Sequence, residues 1–270
     1  MRKFIQTIQN IWKIEDLRSR LLTTLLFVLI YRFGSFVVLP GIDPTALTAL
    51  QAQTAGGLMA LLDMFSGGAF SNASIFALGI MPYISASIVI QLLTIAVPYF
   101  QKMQKEGESG RQKMNQITRY LTVAILLFQG PSYLVNLSVQ MAQAGQAISV
   151  GFNWFTISST ILLCAGSMFV MWLGERITDR GIGNGISFII LIGIIARFPA
   201  AIIQEFSSRL NEGGGLMVFI LEIILLLFVF AFAILLVQGT RRIPVQYAKR
   251  MVGNKQYGGV RQYIPLKVNA

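Results

Sequence analysis

The chain has 270 residues, 54% of them hydrophobic and 12% charged, with a mean hydropathy of +0.65. That composition excludes an ordinary soluble core and belongs to a protein that crosses a membrane several times. With no histidine and one cysteine, metal clusters and intrachain disulfides are not expected, and Cys164, inside an apolar run, reads as packing.

The net charge is +11. A basic face of that kind suits anionic lipid, nucleic acid or an acidic protein surface, and composition does not choose among them. Its distribution says more. Residues 33–101 carry no Lys or Arg, and residues 120–174 carry no charge at all. In the topology below, every Lys and Arg except Arg32, Arg197 and Arg209 falls on the cytoplasmic side, as the positive-inside rule requires.

Residues 1–20 place Phe4, Ile5, Ile8, Ile11 and Trp12 at helical spacing among basic residues, which predicts a cytoplasmic amphipathic helix lying in the interface. No cleavable signal peptide is expected there. The first span is residues 21–39. Arg32 within it is a functional candidate by default. Being nearer the outer end, it can instead snorkel, and a structural role is the reading adopted. Pro40-Gly41-Ile42-Asp43-Pro44 then turns the chain outside.

Residues 58–97 carry a single charge, Asp63. A span needs about 20 apolar residues, so this stretch is too long for one. The basic segments on either side, Met1–Arg20 and Gln101–Arg119, both belong to the cytoplasm, so only one crossing remains for it after residues 21–39. The surplus, about Leu58–Asn72, must enter or approach the membrane without crossing. Ser66-Gly67-Gly68, followed by Ser71, Asn72 and Ser74, breaks the helix there. Irregular backbone at membrane depth survives only where it lines a cavity or is buried in protein. The expectation is a re-entrant half-helix over residues 58–75 beside a water-accessible cavity, the alternative being an ordinary outer loop.

The second span, residues 76–97, aligns Ile80, Ile84 and Ile88 in one stripe and Ser87, Gln91 and Thr94 in another. Isoleucine stripes usually face lipid or core; a polar stripe beside one suggests a face that meets water or another peptide. Residues 98–119 read as a cytoplasmic loop with Gly107 and Gly110 as its turn. The third span, 120–139, contains Gln129-Gly130-Pro131 and is expected to be kinked. The fourth, 152–173, leads into GERITDRGIGNG over 174–185. Gly181, Gly183 and Gly185 do not follow G-x-G-x-x-G and no strand precedes them, so a tight cytoplasmic turn is expected and not a nucleotide loop. The fifth span is 186–203, with Arg197 and Pro199 near its outer end. The sixth is 216–237 and carries Glu222, for which a hydrogen bond inside the bundle is a better reading than a proton path. Residues 238–270 return to the cytoplasm with Arg241, Arg242, Lys249, Arg250, Lys255, Arg261, Lys267 and no acid. Alternating Tyr and Val suggest a projecting hairpin that turns near Gly253-Asn254.

The words of the sequence then matter. MFSGGAFSNASIFALGIMPYISASIVIQLL closely resembles the plug and second helix of the SecY family, the protein-conducting channels of the bacterial Sec translocon. KEGESGR, GERITDRGIGNGIS and the terminal PLKVNA match the same family, so the resemblance covers essentially the whole chain. It implies an all-α polytopic fold, the N-terminal half of a ten-helix inverted repeat around a pore. Helices seven to ten are absent, so this chain alone is not expected to close a channel.

The resemblance assigns a plug over about 63–75, including Asp63, Met64, Phe65, Ser66, Gly67, Gly68, Ala69, Phe70 and Ser71. It assigns the pore ring to Ile80, Ile84, Ile186 and Ile190, branched apolar side chains that dewet a constriction without bonding to a moving peptide. Ser87, Gln91 and Thr94 would line one side of the lateral gate. Arg241, Arg242, Lys249, Arg250 and Lys255 would dock the ribosome or the SecA ATPase. Where many relatives carry two arginines at the tip this chain has Asn254-Lys255, so one basic contact is missing. Implied partners are SecE, SecG, SecA, the ribosome, signal peptides, nascent secretory and membrane proteins, and anionic lipids, with no DNA. The setting would be the bacterial inner membrane.

No catalytic constellation accompanies this pattern. There is no His base, no G-x-S-x-G and no intramembrane Asp pair, and no cofactor is expected. The rival reading is a small-solute transporter using the broken helix as its substrate site. It would want paired ionisable residues at the midplane, and Arg32 and Glu222 stand too near the outer ends.

Overall fold

The computed structural model describes residues 12–42, 62–143, 152–212, 215–246, 250–252, 255–257 and 261–267. Most of the expected interfacial helix, the start of the plug at 58–61, Lys249 and the Gly253-Asn254 tip lie outside them. Contacts divide the chain into two units, Met1–Pro199 and Ala200–Ala270.

The first unit opens with α1 (Glu15–Gly34), whose first turn carries Glu15 and Asp16, favourably placed against the helix dipole. Residues 62–65 form one helical turn and residues 66–80 a chain of turns. Then comes α2 (Met81–Ala96), begun by Pro82 in its first turn, where a missing N–H costs nothing. The second span is therefore helical only from Met81, not from 76. The stretch expected to be a re-entrant half-helix is turns with one short helical stretch, because Gly67 and Gly68 adopt φ of +65° and +94°, and Ala73 φ of 45°, conformations that end a right-handed helix.

The expected loop over 98–119 is helical. It comprises α3 (Pro98–Lys105), bent 99° from α2, and the first turns of α4 (Glu108–Gln143). Gly107, at φ +75°, makes the corner. Gly110 lets α4 lie on α3, since a Cβ there would overlap the Met103 carbonyl. Arg, Gln, Lys and Met over 111–114 are good helix formers and need no further help. Helix α4 runs unbroken through Pro131. It is about 54 Å long at the standard rise, well beyond a hydrocarbon core of roughly 30 Å.

Helix α5 (Phe152–Arg180) continues past the expected end at 173, shrinking the turn to residues 181–184. Asn184 caps α6 (Gly185–Glu212), its side-chain oxygen accepting the N–H groups of Ile186 and Ser187. Gly185 N–H donates to Thr178 Oγ1 at 2.9 Å.

Two apolar clusters fill the first unit. One gathers Leu39, Ala73, Leu134, Phe155 and Leu163. The other gathers Tyr31, Ala69, Phe76, Ile80, Val170, Leu173, Ile177 and Ile189. Glycines permit the close approaches between them: Gly34 lies under the Phe76 ring and Gly166 against the Ile75 backbone, where a Cβ would overlap either neighbour.

The second unit holds the C-terminal part of α6, α7 (Gly215–Gln238) and two small antiparallel sheets. Strand β1 (Thr240–Gln246) pairs β4 (Arg261–Lys267), with Arg241 opposite Leu266 and Arg242 opposite Pro265. Inside that ladder β2 (Arg250–Val252) pairs β3 (Lys255–Tyr257), Val252 opposite Lys255. This is a hairpin, as its alternation suggests. Arg209 binds Glu205 at 2.8 Å and donates to Glu222 Oε1 at 2.6 Å, so the acid expected within the sixth span is paired.

Among the described residues, α4, α5, α6 and α7 are each long and apolar enough to cross a membrane, and the bent pair α2–α3 would make a fifth. Helix α1 falls short because Glu15, Asp16, Arg18 and Arg20 occupy its first turns and Arg32 its last.

Candidate functional site

The turns over 62–80 carry their own polar side chains to close the backbone. Ser66 Oγ donates to the Asp63 carbonyl and accepts the Phe70 N–H, both at 3.0 Å. Asp63 Oδ1 accepts the Ser71 N–H at 2.8 Å. Ser71 Oγ donates to the Gly68 carbonyl at 3.2 Å and Ser74 Oγ to the Ala69 carbonyl at 3.1 Å. Short hydroxyl and carboxylate side chains compete with helical bonding in this way, which is why the segment stays irregular. At its far end it joins the tail of α1, Leu39 N–H to the Ala73 carbonyl and Ile75 N–H to the Val37 carbonyl, both at 2.9 Å.

Four side chains from three helices hold the outside of these turns. From α1, Tyr31 donates to the Ser66 carbonyl at 3.2 Å and Arg32 Nη1 to the Gly67 carbonyl at 2.6 Å. Arg32 also lies over the Phe36 ring, 5.0 Å from its centroid. From α4, Tyr133 donates to the Phe70 carbonyl at 2.9 Å. From α6, Arg197 Nη1 pairs with Asp63 and Nη2 donates to Ser71 Oγ at 2.9 Å. The Asp63 side chain is 3% exposed and that of Arg197 43%. Gly193 brings the α6 backbone directly against Phe65 and Gly67.

The plug residues of the sequence reading are thus brought together, Ser66, Gly67, Gly68, Ala69 and Ser71 being buried and Met64 exposed. The sequence reading missed the partners of Arg32 and Arg197. The available signal was elimination: Asp63 is the only acid in its apolar stretch, a buried charge must pair, and Arg32 and Arg197 have no acid within one helical turn.

Ile80, Ile84, Ile186 and Ile190 meet in one cluster, and Ala69 of the plug belongs to it. Ile84 and Ile186 also line a cavity of about 280 Å³ with Tyr83, Ser87, Ile88, Gln91 and Asn184. Gln91 reaches Ser87 at 3.5 Å. Thr94 does not join them: it is buried and its hydroxyl donates to the Gln91 carbonyl at 2.6 Å. On the docking segment, β1 and β2 carry Arg241, Arg242 and Arg250 and β3 carries Lys255. Among the described residues no group of three His, Cys, Asp or Glu could hold a metal ion.

The SecY family model matches residues 74–270. The chain belongs to the SecY family. It is 44% identical over 265 residues to the protein translocase subunit SecY of Streptomyces scabiei, covering 96% of this chain and 60% of that protein. To the SecY of Escherichia coli K12 it is 44% identical over 254 residues, covering 94% and 57%. The chain therefore spans about 60% of the length of these curated SecY relatives. In fold it is similar to a solved protein-conducting channel, with a TM-score of 0.57 at 18% identity over 93% of this chain and 52% of that one. It is similar also to Sec61 of a canine ribosome–channel complex, with a TM-score of 0.53 at 17% identity over 90% and 53%. With these SecY relatives and its apolar helices, this is a multi-pass membrane protein.

Proposed function

We propose that this chain forms the first half, sixth span and docking loop of a Sec protein-conducting channel. That channel passes unfolded secretory proteins across the bacterial inner membrane and releases signal and transmembrane segments sideways into lipid. What supports the reading is the seat of the irregular stretch: Ala69 is buried in one cluster with Ile80, and Ile84, Ile186 and Ile190 pack against that cluster. Such a ring seals by dewetting while offering no bond to a passing chain. Residues 63–75 act as its stopper, and Ser87, Gln91 and Thr94 form one side of the lateral gate. The membrane crossings fall at 21–39, 76–97, 120–139, 152–173, 186–203 and 216–237, within or beside helices whose own ends differ. The N-terminus and residues 238–270 face the cytoplasm, where Arg241, Arg242, Lys249, Arg250 and Lys255 meet the ribosome or SecA. SecE, SecG, signal peptides, nascent chains and anionic lipids complete the partners. No catalysis is ascribed to it.

The transporter alternative is weaker. The polar atoms of the broken stretch, Asp63, Ser66, Ser71 and Ser74, are engaged with the chain's own backbone and with Arg197, so no free ligand set remains among them. The test is deletion of Gly67–Ser71 in the complete channel, reconstituted in vesicles. Increased ion leak, or acceptance of defective signal sequences, is expected. Unchanged leak together with unchanged selectivity would make these turns a static loop.

A further inference from the structure

We propose that Arg197 and Arg32 are plug-positioning residues: Arg197 latches the plug by pairing with Asp63 and Ser71, and Arg32 steadies it at Gly67. This rests on the channel reading above and deepens it. Asp63 and Ser71 stand on either side of residues 64–70, and one guanidinium reaches both. The same two residues are already joined through the Ser71 N–H, so Arg197, Asp63 and Ser71 form a closed triangle around Gly67-Gly68. The two glycines make room for the two cations. A Cβ on Gly67 would stand 3.3 Å from Arg32 Nη1, and one on Gly68 would stand 3.0 Å from Arg197 Nη2, with glycine-type φ at both. Gly193, which admits the plug backbone, lies one turn before Arg197 and on the same face of α6, so notch and latch belong to one surface.

The chemistry of the two holds differs. Asp63 is almost wholly buried, so losing Arg197 leaves a carboxylate whose remaining partner among the described residues is a single backbone N–H, and seating becomes unfavourable. Arg32 donates to a neutral carbonyl and loses one charge-assisted bond. When the plug leaves, Asp63 and Ser71 move with it while both arginines stay on their helices. Opening therefore requires a charge to be separated and hydrated, which places a threshold on displacement that an apolar seal alone does not have.

The experiment uses the assembled channel containing this chain, in vesicles, with two readouts: hydrogen exchange of the Phe70 and Ser71 amides, and ion conductance. Arg197→Gln is expected to speed exchange at Ser71 by roughly 5–150-fold and to raise conductance. Arg197→Lys, which keeps the charge without the fork, should recover part of both, and Arg32→Gln should give a smaller effect than Arg197→Gln. Amides of Val170 and Leu173 in the buried core report that each variant is folded. Unchanged exchange at Ser71 in a folded Arg197→Gln protein refutes the latch whatever the conductance. Faster exchange with unchanged conductance upholds the contact and refutes instead the channel reading on which its role depends.

Discussion

Replacing Gly193 with alanine separates plug seating from global stability. The added Cβ would stand 2.9 Å from the Phe65 carbonyl oxygen, 3.3 Å from Gly67 N and 3.5 Å from Gly67 Cα. Normal contact for a Cβ begins near 3.4 Å, so the plug must retreat by about 0.5 Å, and the obstructing atoms are backbone that no rotamer change can move. The Gly67 carbonyl also accepts the 2.6 Å bond from Arg32, so its retreat perturbs that contact. Overpacking of this kind costs typically about 1–3 kcal/mol, which lowers the ratio of seated to displaced plug by roughly 5–150-fold. Within the helix itself the same substitution gains about 1 kcal/mol, the difference in propensity between glycine and alanine. The two terms act on different equilibria. The protein should therefore melt within a few degrees of the parent while its plug loosens, raising both vesicle ion leak and exchange at the Ser71 amide. Leu191→Ala, an exposed site on the same helix, is the control and should leave leak unaltered. Gly193→Ala with parental leak and parental exchange would mean that the plug does not close on α6 as described.

Two further outcomes are expected. Tyr133→Phe removes the hydrogen bond to the Phe70 carbonyl and leaves that acceptor without the hydroxyl, a loss of about 0.5–1.5 kcal/mol. A lowered thermal midpoint with faster Phe70 exchange supports the assignment, and identical melting curves count against it. Replacing Arg241, Arg242, Lys249 and Arg250 with Glu should abolish co-sedimentation with ribosomes and binding of SecA while membrane insertion stays intact, and full binding by that variant would remove the docking role.

The amphipathic and apolar periodicity of the chain was enough to expose its helices, because a span in lipid must satisfy its backbone internally and so announces itself by length and composition. The break in the helix was legible for a related reason: an apolar stretch too long for one crossing is interrupted at Ser66-Gly67-Gly68, and the turns over 66–80 stand there. Helix ends were not legible. Residues 98–119 and 174–180 are polar enough to read as loops, yet Gln, Lys, Arg and Glu are good helix formers that simply continue a helix into water. The start of α2 was hidden for the opposite cause. Residues 76–80 are apolar like the helix that follows, and only the φ of +51° at Gly79 and Pro82 show where it begins. Of the site, spacing showed only that Ile80, Ile84 and Ile88 share a stripe, and the ring of Ile80, Ile84, Ile186 and Ile190 was what the family resemblance implied. The grip of Arg32, Arg197 and Tyr133 was not legible, since each partner lies at least 35 residues away in sequence.

On the channel reading proposed above, those long-range polar contacts explain how the plug would be both a seal and a movable part. A stopper built on apolar packing alone would gain stability with every methylene buried, and its release would scale with its size. This segment interleaves small residues, Gly67, Gly68, Ala69, Ser71, Ala73 and Ser74, so that its backbone lies close to neighbouring helices, with Ala69, Ala73 and Phe70 as its apolar contacts. What holds it is a short set of directional bonds from Tyr31, Arg32, Tyr133 and Arg197. Each is strong where water is excluded and weak once water enters. A polypeptide that wets the seat thus lowers the cost of leaving it. Elements that must move are drawn from those of low local stability, and the small side chains of residues 66–74 keep each apolar contact modest while the two arginines keep the resting position unique.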